Sequence, residues 1–412
     1  MIGIGTWTSP TSICETTLNK ETYVGTNRRE FLTAAAISAA PLFIPRRAWG
    51  ANDRISYGLI GTGGRGRALN KMFQKVGAQC VALCDVYQPN LEAAQKDSPA
   101  DVKTYVDYHD VLAQQGVDAI VIASPDHHHF PMLAASLAAN KDVYQEKPLS
   151  HSLEESQKMV AAVRKSKQIV QIGMQRRSAE SLMKAKKLVD DGVLGRVTMV
   201  KPQWHWNVAK PLDNSPLTGE LDWKRFLGTA KKRDLEPMRF RKWRYFWDYA
   251  GGNMTDQGTH LMDVVQWFNK SSAPRSAIMN GYVAKMTGAE HPDVFCAVFE
   301  FPEYMATWTL NYDNSFENGW SITFQGDKAT MILDEEGYKV LAEPWKRGAE
   351  PIYAEKAPVA VEPHIQNFLD CMRSSQEPNC PVEIAAQAVA GPHLANLAFL
   401  KGKKVSLSSY TS

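Results

Sequence analysis

Hydrophobic positions along the chain follow two different regimes. From Ile55, short apolar runs alternate with helical stretches. Residues 55–60 read as a strand, and the next segment places Leu69, Met72, Phe73 and Val76 at helical spacing. Residues 80–84 read as a second strand. A helix near 109–115, a strand at 119–123, a helix at 130–140, a strand at 142–145, a helix at 153–167 and a strand at 169–172 follow. Strands alternating with helices specify an α/β fold with a doubly wound parallel sheet. Ligands of such sheets lie beyond the carboxyl ends of the strands, so the residues just after each strand are the informative ones.

Beyond Met174 the pattern changes. A helix at 179–191 and an apolar run from Val197 lead into an aromatic stretch. Strands then follow at 277–284, 294–301, 305–312, 320–324 and 329–333, with Gly326-Asp327 as a hairpin turn. These predict a C-terminal α+β domain with a mainly antiparallel, open sheet, closed by helices at 363–372 and 383–400. At 412 residues the chain exceeds one ordinary core. The division expected is a leader over 1–50, a nucleotide domain over 51–173 and a substrate domain over 174–412.

The leader rests on Thr26-Asn27-Arg28-Arg29-Glu30-Phe31-Leu32, followed by a weakly apolar run to Ile44 and small residues around Gly50. Paired arginines before such a run look like a twin-arginine export signal. The run is shorter than the roughly 18 residues that span a bilayer, so no stable membrane anchor is expected. Twin-arginine machinery carries folded proteins, which suits a cofactor enzyme bound for the periplasm.

With 47 basic and 44 acidic residues the charge is nearly balanced, and no long single-sign run exists to track phosphates, so nucleic acid is not an expected partner. The basic clusters at 231–233 and 239–244 fit either an anionic ligand or solvated surface. Outside the leader stand Cys80, Cys84, Cys296, Cys371 and Cys380, an odd set without metal-type spacing, so neither a disulfide framework nor a zinc site is expected.

Candidate chemistry begins at Gly61-Thr62-Gly63-Gly64-Arg65-Gly66, which runs directly from the first strand into a helix. The first glycine permits a tight turn, the second lets backbone approach a pyrophosphate, and the third lets helix pack on strand. Asp85 ends the second strand about 20 residues on, where a carboxylate bonds the adenosine ribose. An acid there repels a 2′-phosphate, and no Lys or Arg follows until Lys96, so NAD is expected in preference to NADP.

After the strand at 119–123 stands Ser124-Pro125-Asp126-His127-His128-His129. Adjacent histidines rarely converge on one metal centre, so the run reads as a loop-to-helix cap beside the cofactor, with Ser124, Pro125, His127 and His129 as contacts and no metal expected. Glu146-Lys147-Pro148 follows the next strand, and Pro148 keeps Lys147 extended at the rim, within reach of a nicotinamide.

In the second half, residues 251–268 read as one helix on which Asp256, His260 and Asp263 share a face opposite Leu261, Val264, Val265 and Phe268. A carboxylate one turn from a histidine can orient the ring for proton transfer. A surface cap or half of a metal site fits the spacing as well. Trp occurs 11 times, five of them between Trp204 and Trp247. Aromatic faces beside polar groups suit pyranose rings, so Trp204, His205, Trp206, Arg244, Tyr245 and Asp248 are candidate substrate contacts; core or dimer packing explains the aromatics equally well.

With the glycine loop, Glu146-Lys147-Pro148 and Asp256-x-x-x-His260 in this order, the chain resembles the Gfo/Idh/MocA family, named for glucose-fructose oxidoreductase and inositol dehydrogenase. The resemblance covers essentially everything after Ala51. It implies a Rossmann domain followed by an open sheet that often forms an oligomer interface, hence a homo-oligomer. It further implies that Lys147 bonds the reacting hydroxyl, His260 exchanges its proton, Asp256 supports the site, and hydride passes between a sugar carbon and the nicotinamide. Glu146 joins the cofactor set, Gln175 and Arg176 fall near the nicotinamide and the pocket, and the glycine-loop positions match Gly61, Gly63 and Gly66.

Three activities then compete. The first is oxidation or reduction of a sugar, polyol or glycoside hydroxyl; outside the cytosol it needs a tightly held NAD. The second is redox-neutral cleavage of a glycoside through a transient keto-sugar, with His205, Tyr245 or Asp248 as the eliminating base. The third is sugar binding without turnover, which an intact Lys147, Asp256 and His260 set argues against.

Overall fold

Why these strands form where they do is visible in their burial. The computed structural model describes residues 54–411, so the expected twin-arginine leader lies outside the described residues. The first half contains β1 (Ser56–Ile60), α1 (Gly64–Lys75), β2 (Gln79–Cys84), α2 (Gln88–Lys96), β3 (Lys103–Tyr105), α3 (Tyr108–Ala113), β4 (Ala119–Ile122), α4 (His129–Ala138), β5 (Asp142–Gln145), α5 (Leu153–Lys165) and β6 (Val170–Ile172). All six strands are parallel, in the order β3-β2-β1-β4-β5-β6. Every residue of β4 is buried, as a parallel strand covered on both faces requires, hence its unbroken apolar sequence. β3 carries no such signal: it is an edge strand, and Lys103 and Thr104 are exposed. Because β1 neighbours both β2 and β4, the chain reverses direction there and opens the crevice that ligands occupy.

The second half contains α6 (Glu180–Asp190), β7 (Val197–His205), α7 (Trp223–Leu227), α8 (Pro237–Arg241), α9 (Gly252–Asp256), α10 (Gly258–Asn269), β8 (Ser276–Tyr282), β9 (Val294–Glu300), β10 (Met305–Asn311), β11 (Gly319–Gly326), β12 (Ala329–Asp334), β13 (Gly337–Ala342), β14 (Tyr353–Lys356), α11 (Glu362–Ser374), α12 (Val382–Lys401) and β15 (Val405–Ser406). Its nine strands order as β14-β13-β12-β11-β7-β10-β9-β8-β15. All pairings are antiparallel except β7 with β10. Alternation sends Val200, Trp204, Trp308, Leu310, Ile322 and Phe324 to one face, where they join Leu261, Val265 and Phe268 of α10 in one core. The opposite face presents Lys201, Cys296, Ile278 and Tyr282.

The single helix expected over 251–268 is two. Gln257 separates α9 from α10, and α10 is buried on almost every side, so its polar face meets protein rather than solvent. The chain end also returns to the first sheet. Val382, Ala385 and Val389 of α12 join the core of the parallel sheet, while Leu394, Ala395 and Ala398 of the same helix join the core of the second. Phe368 of α11 packs edge-on against Tyr144 and Phe73. One helix thus belongs to both cores and fixes their mutual position. Among the described residues no helix is long and apolar enough to cross a membrane.

Buried histidines give the fold an acid limit. Burial pulls His129 and His364 down to about 4 and His291 and His393 down to about 3, each partly offset by bonds to backbone. Unfolded, each binds a proton near 6.5, so below that pH protons favour the unfolded chain, by about 1.4 kcal/mol per pH unit per histidine. The melting temperature is expected to hold above pH 6.5 and to fall steadily from there towards pH 4. A flat melting curve over that window, measured by circular dichroism, contradicts it.

Candidate active site

The glycine loop is shaped by contacts that only hydrogen permits. Gly61 sits at φ +88°, and a Cβ there would lie 2.7 Å from the Ala123 carbonyl; a Cβ on Gly66 would overlap the Gly61 carbonyl oxygen. Gly64 has open space instead, and α1 starts at Gly63 without any side-chain cap, so its first N–H groups face outward. Asp85 stands beside them: its carboxylate accepts from the Thr62 N–H at 2.7 Å, the Thr62 hydroxyl at 3.1 Å and the Tyr87 N–H at 2.9 Å. A cavity of about 630 Å³ opens over this crevice, within the size range of small-molecule sites. Gly61, Gly63, Gly64, Asp85, Ser124 and Pro125 line it. Uncapped N–H groups for a pyrophosphate, an acid for a ribose and apolar walls for a base fit a dinucleotide.

The other residues expected around the cofactor are placed differently. Arg65 reaches across to Glu146, with N···O distances of 2.9 and 2.7 Å, and the two engage each other rather than lining the cavity. His129 contacts the Pro148 carbonyl at 2.8 Å and the Ser124 carbonyl at 3.1 Å, joining the loops that leave β5 and β4. His127 contacts the Phe226 carbonyl at 2.9 Å. Each ring is thus engaged by backbone. The Gln175 Oε1 atom is buried without a partner in the protein.

At the end of β5, Lys147 Nζ donates to the Asp256 carboxylate at 2.7 Å and to the Asp256 carbonyl at 2.9 Å. Arg244 Nε lies 3.2 Å from the same carboxylate, with its guanidinium over the Trp243 ring, and Arg244 also lines the cavity. Burial pushes the Asp256 carboxyl up, but Lys147 and Arg244 outweigh it and hold the group well below the usual carboxylate range. Burial, followed by the charges of Lys147 and Arg176, keeps the His260 imidazole well below its ordinary value and therefore neutral. Burial and the adjacent Asp256 charge push Asp126 up to about 8. Asp256 therefore pairs with two cations instead of orienting His260, and Asp263 pairs with Arg177 at 2.7 Å.

Of the substrate candidates, Tyr245 is buried near Asp256, whose charge adds to burial in pushing its hydroxyl up to about 12. Trp204 and Trp206 meet edge to face, and Trp206 stacks on Tyr312, which accepts a hydrogen bond from Gln257. Arg176 is buried, its guanidinium 3.9 Å from the Trp320 ring centroid and 5.6 Å from that of Trp204. His205 points to the opposite face of the sheet and lies 3.3 Å from the Phe316 carbonyl. Asp248 is engaged by Arg233 and by Arg239. Tyr312, Gln257 and Arg177 carry no motif and escape sequence reading; Asp126 was visible inside the histidine run. Among the described residues no group of three His, Cys, Asp or Glu side chains is placed to hold a metal ion.

A Rossmann-type nucleotide crevice joined to an open nine-stranded sheet, with a lysine–aspartate pair and a neutral histidine between, defines a two-part dehydrogenase-like architecture. The model of the GFO/IDH/MocA oxidoreductase family, NAD-binding Rossmann fold, matches residues 55–174, and that family's C-terminal domain model matches 182–332. The chain belongs to the GFO/IDH/MocA family. Inositol 2-dehydrogenase of Rubrobacter xylanophilus is 35% identical over 161 residues, which covers 38% of this chain and 46% of that enzyme. The Salmonella typhimurium enzyme of the same name is 31% identical over 156 residues, 38% of this chain and 45% of its own. The matched stretch thus spans less than half the length of these curated relatives. Among solved structures, levoglucosan dehydrogenase in complex with NADH and levoglucosan superposes with a TM-score of 0.69 at 16% identity, over 86% of this chain and 100% of that one. The WlbA dehydrogenase from Bordetella pertussis, in complex with NADH and UDP-GlcNAcA, gives 0.67 at 22% identity, over 86% and 99%. These two share the fold.

Replacing Gly66 by Ala is expected to force apart the glycine loop and α1 at a cost of about 1–3 kcal/mol. A thermal melt and an NADH titration of Gly66→Ala check it, and an unchanged melt with unchanged NADH affinity refutes the packing role.

Proposed function

We propose that the chain is an NAD-dependent oxidoreductase acting on a hydroxyl of a sugar, polyol or glycoside. The observation that carries this reading is the Lys147–Asp256 pair and the neutral His260, tied through Arg244, which also engages Asp256, to the crevice lined by the glycine loop and Asp85. NAD, when bound, supplies the hydride acceptor. Two of the three Lys147 ammonium hydrogens are engaged by Asp256, and the third is free for a substrate oxygen. A neutral His260 accepts the hydroxyl proton as the carbon is oxidised and returns it in the reverse direction. Asp256 keeps Lys147 charged and fixed in direction. The carboxylate of Asp85, with no cation beside it in sequence, favours NAD over NADP.

Support for a polyhydroxylated ligand comes from the names of the relatives, since inositol and levoglucosan are ringed polyols. The arginine pair at Arg28-Arg29 supports twin-arginine export to the periplasm, and the outer face of the nine-stranded sheet suits assembly of a homo-oligomer.

Redox-neutral glycoside cleavage is a second reading, favoured by the roof that residues from 225 to 244 place over the crevice, which suits a cofactor that takes hydride back. Of its three candidate bases, His205 faces away and Asp248 is engaged by arginines, which leaves Tyr245.

Lys147→Ala and His260→Ala are each expected to lower turnover roughly a hundredfold to ten-thousandfold while NADH still binds. Full activity in both sinks the assignment. Protein purified without added nucleotide, mixed with nitrophenyl glycosides and free sugars, separates the two activities. Stoichiometric cofactor reduction without nitrophenol identifies a dehydrogenase, and catalytic nitrophenol release without net reduction identifies the glycosidase.

A further inference from the structure

The crevice above the glycine loop is walled from two sides. Its second wall is built by Arg225, Phe226, Gly228 and Thr229, from a segment more than one hundred residues downstream of Asp85 in the chain. This segment, residues 218–229, is fastened directly to the chain that follows β2. The Gln88 N–H donates to the Glu220 carbonyl at 3.0 Å and the Asp222 N–H to the Val86 carbonyl at 2.8 Å, so Tyr87 and Leu221 face each other as an antiparallel pair. The Tyr87 hydroxyl donates to the Thr218 carbonyl. Arg225 spans from Asp222 at 2.5 Å to Asp107 at 3.3 Å, just beyond β3.

Its far end is held by the histidine run that the reaction does not use. His127 Nε2 lies 2.9 Å and His128 Nε2 2.8 Å from one acceptor, the Phe226 carbonyl. His127 is buried and His128 half-buried at the cavity wall, and burial lowers both rings below the ordinary histidine value, so each, neutral, can present an Nε2–H donor to that oxygen. Gly228 turns directly over His128 at φ +53°, where a Cβ would lie 2.5 Å from the ring. Phe226 stacks on Trp223 and packs with Leu227, Phe246 and Tyr249 in a small core of its own. The segment is therefore anchored at both ends and stiffened in the middle.

We propose that residues 218–229 are a strap that closes over the adenosine half of the nucleotide and holds it through many turnovers, with His127 and His128 as its anchor. The proposal rests on the nucleotide reading of the crevice. A ligand beneath the strap leaves only when the strap lifts, so the release rate reports the strap's own opening rather than the contacts of the bound molecule. A captive cofactor must then recover its starting oxidation state in place, from the same substrate or from a second one entering the same site.

NADH release from the full-length protein tests this, followed by fluorescence after a chase with excess NAD. The His127→Phe/His128→Phe variant keeps ring volume and removes both donors; release is expected to quicken at least about tenfold, a change of roughly 1.4 kcal/mol in the opening barrier. Tyr87 and Leu221 form a non-hydrogen-bonded pair, where Cα atoms approach to about 4.5 Å, close enough for a disulfide. The oxidised Tyr87→Cys/Leu221→Cys variant is expected to hold NADH at least about tenfold longer than its reduced form. Because oxidation and reduction are compared in one folded protein, misfolding cannot imitate the effect. Release complete within a second in the parent protein, or equal rates in the oxidised and reduced forms, overturns the strap. Failure of the parent protein to bind NADH at all overturns the nucleotide reading beneath it.

Discussion

Lys147 and Asp256 come from opposite halves of the chain, and their ion pair joins those halves. Lys147 is presented by the exit of β5, whose loop is tied to that of β4 through His129. Asp256 ends α9, at the break before α10. An ionised carboxylate in such a place needs compensation, and two cations provide it from different directions. Removing Asp256 leaves Lys147 without its carboxylate, whereas removing Lys147 leaves Asp256 with Arg244 alone. The pair therefore ties the exit of β5 to the end of α9.

That position has a second determinant in α12. Its first turns belong to the core of the parallel sheet and its last turns to the core of the second, so one helix of 20 residues, with Pro392 inside it, spans both. Sharing it gives the two parts a common apolar interface, the condition under which they keep a fixed relative position. The site between them is consequently preorganised: Lys147, Asp256 and Arg244 need no closing movement to meet.

Charge in the site is arranged rather than merely present. Asp256 stays ionised, His260 stays neutral and Asp126 is raised to about 8, although all three are buried. What separates them is the neighbourhood, cations for the first, cations and burial for the second, an anion and burial for the third. The same logic explains Arg65 and Glu146, which neutralise each other under the glycine loop and leave its outward N–H groups as the positive element there.

Local sequence determined a good deal. Short apolar runs marked β1 and β4 as strands alternating with helices, the glycines of the first turn marked backbone that must approach a ligand and a helix, and strands separated by turns marked the second sheet. Each is dictated by short-range sterics or by which face meets water, so neighbours along the chain suffice. Whatever depended on distant partners was not legible. Nothing near Asp256 announces that Lys147 and Arg244 engage it, nothing in β3 signals a strand, and nothing in 218–229 shows that it covers a crevice built from residues 60–132. His127 and His128 were visible from the start, but the single carbonyl that both approach is about one hundred residues away, and only the folded chain brings it within 3 Å.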